Sequence, residues 1–308
     1  MPLEGKDNIM SDANSIEVTS LTHPSRRSRF RRYLSAWITG ISAAAAVIAV
    51  FALLSVLLYI LINGLGSINL DVFTQGPVPQ GESGGGLRNG IIGTLILMGI
   101  ASVIGLPIGI LGGVYQLETN TPFSRTLRFF TDVMNSIPSI VMGLFAYLIV
   151  VLPVAEMYPG HAFSAFAGGV ALGFLMIPTV MRTTEEILRL VPITLRDASL
   201  ALGATKWRTT WSVILPAARG GIVTGILLAL ARIAGETAPL LFTAFGNLDF
   251  NVRLDKPIDA LPLNIFNYAT SPYENLHHLA LAGAIILLAI ILVLSLVSRY
   301  ALRGQTVE

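Results

Sequence analysis

The stretch PITLRDASLALGATKWRTTWSVILP, residues 192–216, is too polar to face lipid and too regularly patterned to be a loop. Leu195, Ala198, Leu202, Trp207, Trp211 and Ile214 supply apolar contacts, while Arg196, Asp197, Lys206 and Arg208 stay polar. Gly203 lies between the two halves, where a residue free to adopt positive φ can turn the chain. The pattern predicts a short helix along a membrane face, opened by Pro192, then a turn. A second short helix leads through Pro216 into the next apolar run.

The rest of the chain supplies the membrane. Of 308 residues, 53% are apolar and 12% charged, against about 45–50% and about 25% in soluble domains, and mean hydropathy is +0.71. So little charge could not cover a surface in water. Spanning takes roughly 20 apolar residues as a helix. Six runs qualify: 37–62, 89–117, 137–154, 163–181, 220–245 and 279–297. The first follows a cluster of five arginines and is too long for a signal peptide. With the N-terminus inside, sixteen of the twenty Lys and Arg fall on the cytoplasmic side and only Arg88, Arg253 and Lys256 outside, which places both termini in the cytoplasm.

Residues 1–33 read as a disordered basic cytoplasmic tail, 34–62 as a peripheral first helix, 63–86 as an irregular Gly-rich extracytoplasmic linker, 87–300 as the core and 301–308 as a second cytoplasmic tail. The tract Gly84-Gly85-Gly86 is no P-loop, since no Gly-Lys-Ser/Thr follows it. Residues 246–278, with Asp249, Asp255, Asp259 and Glu274, read as the longest outer loop, either solvated or facing a soluble partner. In the second run Gly105, Gly109 and Gly113 recur every four residues, a spacing that lets another helix approach closely.

Asp197-Ala198-Ser199, three residues, Gly203, nine residues, then Val213-Ile214-Leu215-Pro216 resembles the EAA loop of ABC importer permeases. Asp197, Ser199 and Val213 are mild departures from that pattern. In that family the loop couples the membrane helices to the ATP-binding subunit, a role the resemblance assigns to Asp197, Ala198, Ser199, Gly203, Lys206, Trp207, Leu215 and Pro216. Three further stretches, Leu87 to Thr94, Ile177 to Arg182 and Ala231 to Pro239, are similar to the A-type permease subunits of phosphate-specific (Pst) importers, over roughly residues 85–300. The resemblance implies an all-α polytopic protein with the type I ABC importer permease fold in a bacterial inner membrane. The implied partners are a second homologous permease, a cytoplasmic ATP-binding subunit dimer holding ATP and Mg, and an extracytoplasmic phosphate-binding protein. No cofactor is expected in this chain.

Arg232 and Glu236 are the charges inside the fifth run, four residues apart and so on one helical face. An ionisable group there costs at least about 2.5–3.5 kcal/mol on insertion scales. Either the two form a self-neutralising structural pair, or Arg232 offers its planar donors to a dehydrated oxyanion while Glu236 tempers the attraction. The resemblance favours the second reading. Arg182, placed at the inner end of the fourth run, fits both a pathway role and positive-inside bias. Thr237 could donate to phosphate, as could Thr183, although membrane threonines usually bond backbone carbonyls.

Nothing points to an enzyme: there is no cysteine, and His23, His161, His277 and His278 show no metal-ligand spacing. The expected catalytic and metal sites are none, and no nucleic acid is expected. The rival functions are a permease for another oxyanion such as sulfate or molybdate, a secondary transporter or channel, and a membrane signalling subunit.

Overall fold

A computed structural model describes residues 26–79, 82, 84–158 and 162–303. Among them six helices are long and apolar enough to cross a membrane. The described residues contain no strand, only an isolated parallel bridge between Phe245 and Ile258. In chain order the helices are α1 Arg26–Gly64, α2 Leu70–Thr74, α3 Arg88–Glu118, α4 Pro122–Ser136, α5 Ser139–Met157, α6 Ala165–Arg189, α7 Ile193–Ala201, α8 Lys206–Ala234, α9 Ala238–Leu241, α10 Leu261–Ala269 and α11 Glu274–Arg303. The long apolar six are α1, α3, α5, α6, α8 and α11.

The chain divides after Tyr59 into two compact units. Because α1 begins at Arg26, residues 26–33 are helical and not part of a disordered tail; Arg is a good helix former, and extending an existing helix costs far less than starting one. Residues 1–25 and 304–308, and with them His23 and both tail ends, lie outside the described residues, as does His161.

In the second unit α3 and α6 form the centre. A Cβ added at Gly109 would come within 2.7 Å of Val180 Cβ, and one at Gly113 within 2.7 Å of Thr184 Cβ. The glycine stripe therefore serves close helix approach, and around it Leu97, Ala101, Leu172, Leu175, Met176, Val180, Ile233, Leu240 and Leu263 build the main core.

Several segments depart from the sequence expectations. The fifth run is not one helix over 220–245. α8 starts at Lys206 and ends at Ala234. Gly235 is a poor helix former, and Pro239 has no N–H and clashes with the carbonyl four residues earlier, so the chain breaks over 235–237 before the short α9. At its other end α8 runs through Pro216, as the 192–216 pattern leads one to expect. A π-helical turn at Thr210–Ile214 widens the helix just before the proline and accommodates the missing donor. The linker is docked where it is described: Leu87 N–H donates to the Val72 carbonyl at 2.8 Å, Gly86 N–H to the Gly76 carbonyl at 2.9 Å, and Val72 and Leu87 are buried.

The outer loop differs most. Residues 258–264 fold back into the protein, with Ile258, Asp259, Ala260, Leu261, Leu263 and Asn264 all buried. Gly93 of α3 has room for no side chain because the Asp259 carbonyl lies against it. Leu261 N–H donates to Thr94 Oγ1 at 2.9 Å, and Asn264 Nδ2 donates to Asp259 Oδ2 at 2.7 Å. Alternating polarity cannot reveal such a segment, because its apolar residues are too few to read as a span.

Burial pushes the Asp259 carboxyl up to about 6 from its usual 3.8, against the hydrogen bonds from Asn264 and the Ala260 backbone. Between those values the folded state binds the proton and the unfolded state does not, so this group's contribution to stability is greatest below about pH 4. It falls as the pH rises through about 6 and is constant above, by about 3 kcal/mol in all. Asp259→Asn keeps an acceptor for Asn264 and removes the charge. It is expected to melt higher than the parent at pH 7.5 and equally at pH 4, as checked by thermal denaturation in nanodiscs across that range.

Candidate functional site

The polar side chains that α6 carries decide the site. Thr179 lies ten residues before the end of α6 and fourteen after its start, so about 15 Å and about 21 Å from its two ends at 1.5 Å per residue. Arg232 Nη1 donates to Thr179 Oγ1 at 3.4 Å, and Arg232 Nε stands 3.8 Å from Glu236 Oε1. Both contacts are long. Arg232 sits in the last turn of α8, where the helix dipole favours a cation, and Glu236 is in the break beyond it. The expected pairing is present, but Glu236 is not on the α8 helix, and the Arg232 side chain is 40% exposed in the isolated chain and not buried.

Arg182 is seven residues short of the end of α6, not at it, because the helix continues past the fourth apolar run to Arg189. Its Nη1 donates to Asp132 Oδ1 at 2.9 Å and its Nε to Glu186 Oε1 at 2.6 Å. Thr179 and Arg182, three residues apart, share one helix face. Arg232 and Arg182 are thereby brought to neighbouring turns of the same stripe. Thr237 is not at that stripe: its hydroxyl donates to the Pro262 carbonyl at 3.5 Å, and Thr183 donates to the Thr179 carbonyl at 2.7 Å.

A second cluster lies one turn further toward Arg189. Glu185, 2% exposed, is held by Arg128 Nη2 at 2.6 Å and by Arg189. With the Gln116 amide oriented to satisfy its neighbours, its nitrogen donates to Glu185 Oε2 at 3.0 Å and its oxygen accepts from Thr131 Oγ1 at 3.1 Å. Arg128 also donates to the Gln116 carbonyl at 2.9 Å. A fully paired carboxylate of this kind fixes α4 on α3 and α6.

Absent from the sequence expectations are α4 as a whole, and with it Asp132 and Arg128, as well as Thr179, Glu185 and Glu186. The signal was there in the spacing. Phe123, Leu127, Phe130 and Met134 alternate with Arg128 and Asp132 at helical intervals, and Arg182/Glu186 and Glu185/Arg189 are i,i+4 pairs.

The 192–216 segment is a helix, a turn and the start of α8. Gly203 has φ +84°, the left-handed region that glycine adopts without strain. Ser199 Oγ lies 2.9 Å from Thr209 Oγ1, joining the halves, and the Thr205 hydroxyl caps α8 by accepting from Arg208 N–H at 3.4 Å. Arg196 binds Glu118 at the end of α3 with both arms of its guanidinium, at 2.9 and 2.6 Å. Leu202 at the tip is 90% exposed, and Trp207, also exposed, packs its ring 5.2 Å from that of Trp211. Asp197 and Ala198 lie in α7 and Lys206 at the start of α8, whereas Leu215 and Pro216 lie inside α8 and not at its end. Among the described residues no cluster of His, Asp and Glu could hold a metal ion. His277 and His278 instead bond Ser271 and Ser67.

Residues 105–306 match the family described as Binding-protein-dependent transport system inner membrane component. The chain is 40% identical over 285 residues to the phosphate transport system permease protein PstA of Yersinia pestis, covering 92% of this chain and 95% of that one. It is 44% identical over 271 residues to PstA of Xylella fastidiosa strain Temecula1, covering 87% and 92%. Among solved structures it resembles the bacterial alginate ABC transporter in complex with its alginate-bound periplasmic protein, with TM-score 0.60 and 14% identity over 92% of this chain and 99% of that one. It also resembles the MetNI methionine ABC transporter in an inward-facing conformation, with TM-score 0.56 and 21% identity over 72% and 96%. These two likenesses establish the fold of ABC transporter permeases. The chain is a multi-pass membrane protein that belongs to the binding-protein-dependent transport system inner membrane component family and, within it, to the PstA permeases.

Proposed function

We propose that this chain is the permease subunit of an ATP-driven phosphate importer and forms half of its translocation pathway. The observation that carries the reading is Arg232: a guanidinium at membrane depth, on a half-exposed face, whose two side-chain contacts among the described residues are both long. Such a group has donors to spare for the oxygens of a dehydrated anion, and a second, homologous permease would cover the face on which it stands. Arg182 would take the anion next, one turn of α6 further on. The names of the relatives supply the choice of phosphate.

The crowding of Lys and Arg at the end that carries α4 and α7 supports placing that end, and both termini, in the cytoplasm. There the 192–216 hairpin would dock in the ATP-binding subunit dimer, which holds the ATP and Mg. The opposite end would receive phosphate from an extracytoplasmic binding protein. This chain itself carries out no chemical step. Vesicles holding the assembled complex are expected to take up labelled phosphate only with ATP, with unlabelled phosphate competing and sulfate not. Competition by sulfate alone would overturn the phosphate assignment, and uptake by this chain without ATP or partners would make it a secondary transporter.

A further inference from the structure

Three carboxylates stand beside the pathway arginines: two close on Arg182, and one, Glu236, stands off from Arg232. Arg232 holds its partners at 3.4 and 3.8 Å, whereas Arg182 is gripped by Asp132 at 2.9 Å and Glu186 at 2.6 Å. These carboxylates differ from neighbouring Glu185, which is buried among Arg128, Arg189 and Gln116 and serves packing. Asp132 and Glu186 are more than half exposed, and among the described residues neither side chain has another partner. Exposed pairs of this kind exchange partners readily. An anion that has reached Arg232 therefore meets, one turn on, a guanidinium already occupied by groups of its own charge type.

We propose that Asp132 and Glu186 are a carboxylate latch on Arg182, closing over the guanidinium in the empty pathway and displacing the anion from it toward the basic end. The inference rests on the reading of this stripe as an oxyanion path. The latch joins two elements: Asp132 is on α4, four residues from Arg128 and so on the same face, and Arg128 binds Glu185 of α6. Lifting α4 from α6 withdraws Asp132 from Arg182, whereas Glu186, four residues from Arg182 on α6, stays beside it.

The test is equilibrium binding of labelled phosphate to the assembled importer in nanodiscs, together with uptake by cells. Asp132→Asn with Glu186→Gln removes both competing charges and keeps the shapes. Affinity is expected to rise on the order of tenfold and the maximal uptake rate to fall, since release slows. In an Arg182→Gln background the same pair should change neither. Unchanged or weaker binding by an assembled complex, or an equal change without Arg182, would overturn the latch. Should the double variant fail to assemble, Glu186→Gln alone decides the matter: it should raise the affinity, and an unchanged affinity would overturn the latch. A parent complex that binds sulfate and not phosphate overturns the phosphate reading alone, and labelled sulfate then becomes the probe for the latch.

Discussion

Replacing Arg232 by Gln is expected to lower phosphate uptake about a hundredfold while the complex still assembles. A charged hydrogen-bonding partner lost from an anion path removes up to about 3 kcal/mol, which is roughly a hundredfold in rate or occupancy. The variant loses little folding energy, because the Arg232 contacts to Thr179 and Glu236 are long and its side chain is 40% exposed. Arg232→Lys keeps the charge but replaces a planar fork with a point donor, and its uptake should fall between the two. Labelled-phosphate uptake, normalised to the amount of assembled complex, reads the effect. Parental uptake by Arg232→Gln would remove this residue from the pathway.

Leu202→Asp is expected to cut transport-coupled ATP hydrolysis by more than tenfold without moving the melting temperature. Leu202 lies at the tip of the 192–216 hairpin and touches almost nothing in this chain, so the fold gains nothing from its apolar side chain. A large exposed Leu beside an exposed Trp at the end of a rigid support is what a partner's pocket would take as an anchor. The support is rigid because Arg196 grips Glu118 and Ser199 meets Thr209. An Asp at the tip would have to be desolvated on docking. Copurification of the ATP-binding subunit and phosphate-stimulated hydrolysis both report on it; normal values for both would show that the hairpin docks elsewhere.

Much of this molecule is legible along the chain, and where it is not the reasons are physical. The six apolar runs are long one-dimensional signals, so their number and order follow directly, as does the turn at Gly203 between two amphipathic halves. Helix ends are less legible because polar residues continue a helix as readily as they end it: α6 runs eight residues past its apolar run, which moves Arg182 inside it. The amphipathic α4 was hidden because its residues count as a short polar loop when apolar length is the criterion. Asp259 looks solvated in sequence, and only its pairing with Asn264 and its place against Gly93 make it a buried group.

Composition and motif spacing determined the membrane environment, the number of spans, the hairpin and the candidacy of Arg232 and Arg182, since all of these depend on runs of neighbouring residues. Which carboxylate holds which arginine was decided only by the tertiary structure. Arg182 and Asp132 are fifty residues apart, and Arg232 and Thr179 fifty-three. Nothing local in the chain distinguishes a filled guanidinium from an open one; that difference arises when α4 and α8 pack against the same face of α6.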